Sequence, residues 1–161
     1  MRWVSVVVLI AVFSGCGGSE APPEPAPKAE APPAANLCNL LTADEIAEVM
    51  GAAPGEPTAD SEGCAWPSAG GGDPLVELSM SRSTLKSYDD FVAEYGREFG
   101  GENPSKEYYQ PVEGLGDWGL YRTTGDVLEI HSGDRMLAMI VRPASRANAE
   151  ALAGKALPRL P

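Results

Sequence analysis

Much of what usually announces a protein's chemistry is missing from this 161-residue chain. There is one histidine, His131, and there are three cysteines, with no C-x-x-C pair among them. Disulfide-exchange chemistry of the C-x-x-C type and C-x-x-C-H haem attachment are therefore excluded. Two cysteines and one distant histidine also fall short of the four ligands of a structural zinc site. Basic residues are few, 12 against 23 acidic, for a net charge of −11. That balance argues against nucleic acid and against docking on anionic lipid, both of which need basic patches. No apolar run reaches the roughly 20 residues that a membrane-crossing helix requires. No glycine-flanked serine nucleophile and no EF-hand loop is found, and no motif implies a cofactor.

What is present begins at the start of the chain. Arg2 gives a positive opening, and Trp3 to Phe13 is an uncharged, strongly apolar stretch of 11 residues. Small residues follow, Ser14-Gly15-Cys16. A basic start, a short apolar core and small residues make the layout of a removable export signal. With Phe13 in front, the last four residues resemble the lipobox of bacterial lipoproteins, in which a leucine and two small residues precede a lipidated cysteine. Phe13 departs from the usual leucine but keeps its bulk. The resemblance implies cleavage before Cys16, multiple acylation of that cysteine, and a partner that is the membrane itself, reached through the lipid anchor. Gly17, where an aspartate is absent, implies sorting towards the outer membrane in a two-membrane cell.

Residues 17 to 35 read GGSEAPPEPAPKAEAPPAA, rich in proline and alanine and without a large apolar side chain. Such a segment cannot bury enough surface to offset its ordering entropy. Proline-rich linkers favour extended geometry at about 3.1 Å per residue, so these residues reach roughly 60 Å at full stretch. The chain thus divides into a signal (1–15), a lipidated cysteine with its tether (16–35) and one domain (36–161). With Cys16 acylated, Cys38 and Cys64 remain as a pair in an oxidising compartment where disulfides persist, on the extracytoplasmic side of the cell envelope.

The domain carries clear local signals. Thr42 with Glu45 three residues on makes a capping box, Leu41 and Ile46 sit where a hydrophobic staple belongs, and Gly51 stops the helix. Cys64-Ala65-Trp66 reads as a short strand, and Val76, Leu78 and Met80 alternate with polar residues as a half-buried one. Ser87 with Asp90 opens a second helix, on which Tyr88, Phe91, Val92, Tyr95 and Phe99 recur at helical spacing; core packing is the favoured role for these rings. Residues 106 to 142 predict an antiparallel meander. Tyr108-Tyr109 begins it, Pro111 breaks it, and the last strand (Met136 to Arg142) is apolar on both sides, as if covered on both faces. Ser145 to Leu157 predicts a closing helix with a stripe of Ala149, Leu152, Ala153 and Ala156, ended by Pro158. The order implies an α+β fold, an antiparallel sheet with helices packed on it.

Four stretches line up together: Cys38-Asn39-Leu40-Leu41-Thr42-Ala43-Asp44-Glu45, then Cys64-Ala65-Trp66, then Gly114-Leu115-Gly116-Asp117, and a closing Ala156 to Leu160. They resemble a family of small bacterial lipoproteins of unknown function, with a C-x-L-L-T-x-x-E opening and a C-x-W partner. The resemblance implies a Cys38–Cys64 bridge and a PsbP-like sandwich, and it brings no functional residues.

Candidate chemistry is thin. Gly114-Leu115-Gly116 invites a phosphate-loop reading, but acids flank it and a strand follows, so a turn is expected. His131 ends a strand beside a turn, where an exposed polar residue is expected. Asp44-Glu45 and Asp89-Asp90 could serve as acids or calcium ligands, yet both lie in helical first turns, where the dipole explains them. The reading is a non-enzymatic binding or accessory domain on a stalk, with an envelope protein or a small ligand as partner. An envelope-polymer hydrolase is the alternative from another class, and a structural spacer a third.

Overall fold

The computed structural model describes residues 34–61 and 63–160. Cys16, the signal and residues 17–33 of the tether lie outside the described residues. A single antiparallel sheet organises the rest. Its strands are β1 (Thr58–Ala59), β2 (Gly63–Pro67), β3 (Pro74–Arg82), β4 (Tyr109–Val112), β5 (Trp118–Arg122), β6 (Val127–Ser132) and β7 (Arg135–Val141). They lie side by side as β1-β2-β3-β7-β6-β5-β4. Three helices accompany them: α1 (Ala43–Met50), α2 (Tyr88–Glu98) and α3 (Arg146–Ala156). The fold is α+β, as the order of elements implied.

Helix α1 starts as its sequence dictates. The Thr42 hydroxyl accepts from the Glu45 amide at 3.2 Å, and the Thr42 amide donates to the Glu45 carboxylate at 2.9 Å. Gly51 ends the helix at φ +68, with its amide donating to the Ala47 carbonyl. Arg159, far along the chain, donates to both Glu45 oxygens at 2.7 Å and to the Leu40 carbonyl at 2.9 Å. The Arg159 guanidinium and the Thr42 amide hold the Glu45 carboxyl down to about 2. One carboxylate therefore caps α1 and latches the C-terminal segment to it.

Helices α1 and α3 pack on one face of the sheet, called the inner face below. Its core is largely aliphatic: Ile46, Val76, Leu78, Leu128, Ile130, Leu137, Met139 and Val141, with Trp66 beside Cys64. The buried stripe of α3 is Ala149, Leu152, Ala153 and Ala156, and three alanines of four let the helix lie close. Pro158 follows the end of α3 at Ala156, as expected. It sits in the first turn of a 3-10 segment, Leu157–Arg159, where its missing amide hydrogen is not needed.

The opposite, outer face departs from expectation in two ways. β7 is central, paired to β3 and β6. Yet only Leu137, Met139 and Val141 are buried, while Met136, Ala138 and Ile140 stay half-buried. The strand is covered fully on one side alone. Pro111 does not break β4 either. It lies within the strand opposite Leu120, on a sheet edge where proline's missing donor faces no partner. Helix α2 lies on the β4–β5 side of this face, where Leu120 of β5 is fully buried.

Candidate functional site

The paired cysteines meet as expected: Cys38 and Cys64 form a disulfide with their Cα atoms 5.3 Å apart. It ties the 3-10 turn Ala34–Asn39 to β2 on the inner face.

His131 is a correction. It is 2% exposed, not a surface residue at a turn. Its position opposite Trp118 across β5 and β6 stacks the two rings 3.7 Å apart at 12°. Nδ1 lies 3.0 Å from the Ser83 hydroxyl, and burial pushes the imidazole down to about 4. Nε2 and the Trp118 Nε1 are buried without a hydrogen-bond partner. A serine within reach of a histidine invites a nucleophilic reading. Activation, however, needs a base that accepts a proton near pH 7 and a third group that orients it. This imidazole is a weak base, and the Ser83 hydroxyl already accepts from the Leu85 amide at 3.2 Å. The cluster packs; it does not form a triad among the described residues.

The carboxylate pairs are not brought together. Asp44 and Glu45 lie in the first turn of α1 on the inner side, Asp89 and Asp90 in the first turn of α2 on the outer side. Asp90 accepts from the Lys86 amide at 2.9 Å. No group of three or more metal-ligating side chains occurs among the described residues. The glycine motif is a turn. Its chain passes so close to β6 that a Cβ on Gly116 would stand 2.5 Å from the His131 carbonyl, and the Asp117 amide donates to that carbonyl at 2.8 Å.

Among the described residues, a pair of concavities on the outer face stands out. One is a trough of about 230 Å³ over β2, β3 and β7, floored by the small residues Gly63, Ala65, Ser79 and Ala138. Its carboxylates have structural tasks: Glu77 pairs with Arg142, and Asp60 accepts from the Gly63 amide at 2.7 Å. The other, of about 240 Å³, lies at the far edge, lined by Tyr95, Tyr108, Tyr109, Arg122 and Thr124.

Three elements build this second pocket. Ser105 starts the approach, accepting from the Tyr108 and Tyr109 amides at 3.0 and 2.9 Å. The Thr123 amide donates to the Tyr108 carbonyl, and its hydroxyl to the Glu107 carbonyl, so the start of β4 is fixed against the end of β5. Helix α2 lays its ring row across them: Phe91 meets Tyr109 and Trp118, and Tyr95 meets Tyr109 edge-on at 5.3 Å. Core packing therefore describes only the first half of that row. No residue of α2 is fully buried, and the row ends with Phe99 stacked on Tyr95 at 4.4 Å and 52% exposed. Tyr108 is 49% exposed. Desolvation pushes the Tyr95 hydroxyl up, with Tyr109 and Glu102 adding to it. Arg122 is held by Glu129 at 2.7 Å, and burial pushes that carboxyl up while Arg122 draws it back. The result is an open pocket walled by amphipathic rings, with its one guanidinium already neutralised. The one local signal for it is a helix whose apolar face is made of rings rather than aliphatic side chains. Compared with known protein families and with curated protein sequences, the chain matches none.

Proposed function

We propose that this protein is a lipid-anchored lipoprotein of the cell envelope, and that residues 36–161 form a non-enzymatic binding module. Its ligand-binding site is the pocket lined by Tyr95, Tyr108, Tyr109, Arg122 and Thr124. The anchor rests on the opening of the chain, where Arg2, the apolar Trp3 to Phe13 and Ser14-Gly15-Cys16 precede a proline-rich tether. The binding role rests on one observation, the exposed ring cluster beside a compensated arginine. Exposed aromatics are otherwise the side chains a monomeric domain hides, and tyrosines are favoured where one end of a ring must be dry and the other wet.

Placement supports the reading. The described chain enters at the Ala34–Asn39 turn, against β2 on the inner face. The pocket opens on the outer face beside β4 and β5, at the other end of the strand order. A tether leaving from one edge thus leaves the far edge free to meet a partner. Four strand spacings separate β2 from β5, about 19 Å at 4.8 Å each.

The test has two arms. Mass spectrometry of the mature protein should find an acylated Cys16 as the N-terminal residue, and Cys16→Ser should release the protein from the membrane fraction. Envelope extract added to the labelled protein should shift NMR signals around the pocket, and Tyr108→Ala should abolish those shifts. An unmodified Cys16 refutes the anchor, and shifts that ignore Tyr108→Ala refute the site.

A further inference from the structure

We propose that the aromatic pocket takes a neutral sugar ring, one pyranose of an envelope glycan, stacked on tyrosine and bound through its hydroxyl groups. This rests on the pocket being the binding site. The argument starts from size. Pockets that enclose a drug-sized ligand run from about 300 to 1,000 Å³. At about 240 Å³ and open to solvent, this one takes a single ring and leaves the rest of a polymer outside.

Charge narrows the class. A ring of tyrosines alone would suit a quaternary ammonium group. The lining itself offers a cation no carboxylate, because Glu129 beside it is taken up by Arg122. An anion is opposed as well: Glu129 already occupies Arg122, Glu102 faces Tyr95, and the chain carries −11 overall. A neutral ligand is left.

Hydrogen-bonding capacity narrows it again. The lining carries tyrosine and threonine hydroxyls, groups that both donate and accept, with Tyr95 and Tyr109 already hydrogen-bonded to each other and Tyr108 and Thr124 beside them. An extended proline-rich peptide offers mainly carbonyl acceptors, because its prolines carry no N–H, and would leave much of the accepting capacity unused. A pyranose offers hydroxyls that also do both, arranged around a ring whose C–H face is apolar. Such a ring matches a tyrosine face with hydroxyls at its rim. Phe99 and Tyr108 continue the aromatic surface beyond the pocket, each about half exposed. They are placed to meet the next ring of a chain, so affinity should grow with oligosaccharide length.

The experiment titrates the full chain in detergent with neutral oligosaccharides of glucose, N-acetylglucosamine, mannose and galactose, from one to four rings. Choline chloride, inorganic phosphate and a proline-rich peptide are run beside them, with NMR as the readout. At least one sugar series should bind, the tetramer about tenfold tighter than the monomer, which is about 1.4 kcal/mol. Tyr108→Ala and Phe99→Ala should each remove most of that length gain. Glu77→Gln, in the trough over β3, should change nothing. The proposal is overturned if no sugar binds at 10 mM (roughly the limit of useful recognition at about 3 kcal/mol), or if choline, phosphate or the peptide binds in place of sugars. Sugars failing while envelope extract still shifts Tyr108-dependent signals would refute the ligand and spare the site. Extract shifts that ignore Tyr108→Ala would refute both.

Discussion

Reducing the Cys38–Cys64 bridge should lower the melting temperature by roughly 13 °C without unfolding the protein at 25 °C. The bridge closes a loop with a sequence separation of 26. In the chain-entropy account, that loop removes about 12 cal/mol/K from the unfolded ensemble, about 3.5 kcal/mol at 25 °C. A domain of this length unfolds with an entropy of about 260 cal/mol/K, and the ratio gives the temperature shift. The segment keeps other holds once the bridge is gone. Leu37, Leu40 and Leu41 are 4%, 1% and 3% exposed, and burying each contributes roughly 1.5–3 kcal/mol. Those contacts should keep the reduced chain folded.

Calorimetry distinguishes the parts. Wild-type protein refolded from denaturant under reducing agent keeps its side-chain volume, so its shift reports the cross-link alone. Cys38→Ala/Cys64→Ala should melt slightly lower still, because Cys64 is 3% exposed and its truncation leaves a small cavity. Cys38→Ala should fall within that cavity difference of the double variant. The urea m-value should rise on reduction, since an uncrosslinked chain exposes more surface. A fully reduced wild type melting within about 3 °C of the oxidised form would refute the reasoning, because the loop would then constrain nothing.

Three further outcomes follow from particular contacts. His131, the sole histidine, is held down to about 4, so the unfolded chain binds the extra proton first. Its contribution is complete above pH 6.5 and is lost as pH falls to about 4, a change of about 3 kcal/mol that His131→Phe should erase from a urea-midpoint series. Glu45, held at about 2 chiefly by Arg159, contributes above pH 4.5 and loses it as pH falls to about 2. Both groups are partly solvated, so Arg159→Ala should lower the urea midpoint at pH 7 modestly, and the acid limb below pH 4.5 should flatten in calorimetric scans. A Cβ on Gly63 would stand 2.0 Å from the Leu78 carbonyl, so Gly63→Ala must force β2 from β3 at about 3 kcal/mol or more. Gly70→Ala, whose Cβ would meet only the Ser68 hydroxyl at 4.0 Å, should be silent by the same thermal melt.

What the sequence disclosed was whatever rests on near neighbours. The Thr42–Glu45 box, the Ser87 cap over Asp90 and the Gly51 stop are contacts within four residues, and each formed as read. The alternation of Val76, Leu78 and Met80 foretold the inner face of β3, with Val76 and Leu78 buried and Met80 packed against that core. His131 shows where such reading ends. Its environment comes from Trp118 across a hairpin and Ser83 48 positions away, and nothing in its immediate neighbours distinguishes it from a surface residue. Two-residue β1 has no pattern long enough to read. The pocket draws on α2, β4 and the β5–β6 turn, so its composition exists only once the sheet has closed.

The pocket also has a packing cause. On the inner face, alanines on α3 and aliphatic side chains on the strands interdigitate at interior density. On the outer face α2 brings rings, and Phe91 sits 5.5 Å from Tyr109 and 6.5 Å from Trp118 by centroid. Planar rings pack with offsets and tilts instead of filling space evenly, so an aromatic layer leaves clefts at its margin. That margin falls where α2 ends and Gly100-Gly101, at φ +67 and +92, turn the chain away. Past that turn no helical residue covers Tyr95, and the chain returns as Tyr108-Tyr109 on the edge strand. Aliphatic residues at Tyr95 and Phe99 would have given a helix of equal amphipathicity and a closed seam. Rings at those two positions hold the seam open, so replacing both with leucine should shrink the pocket while preserving the helix.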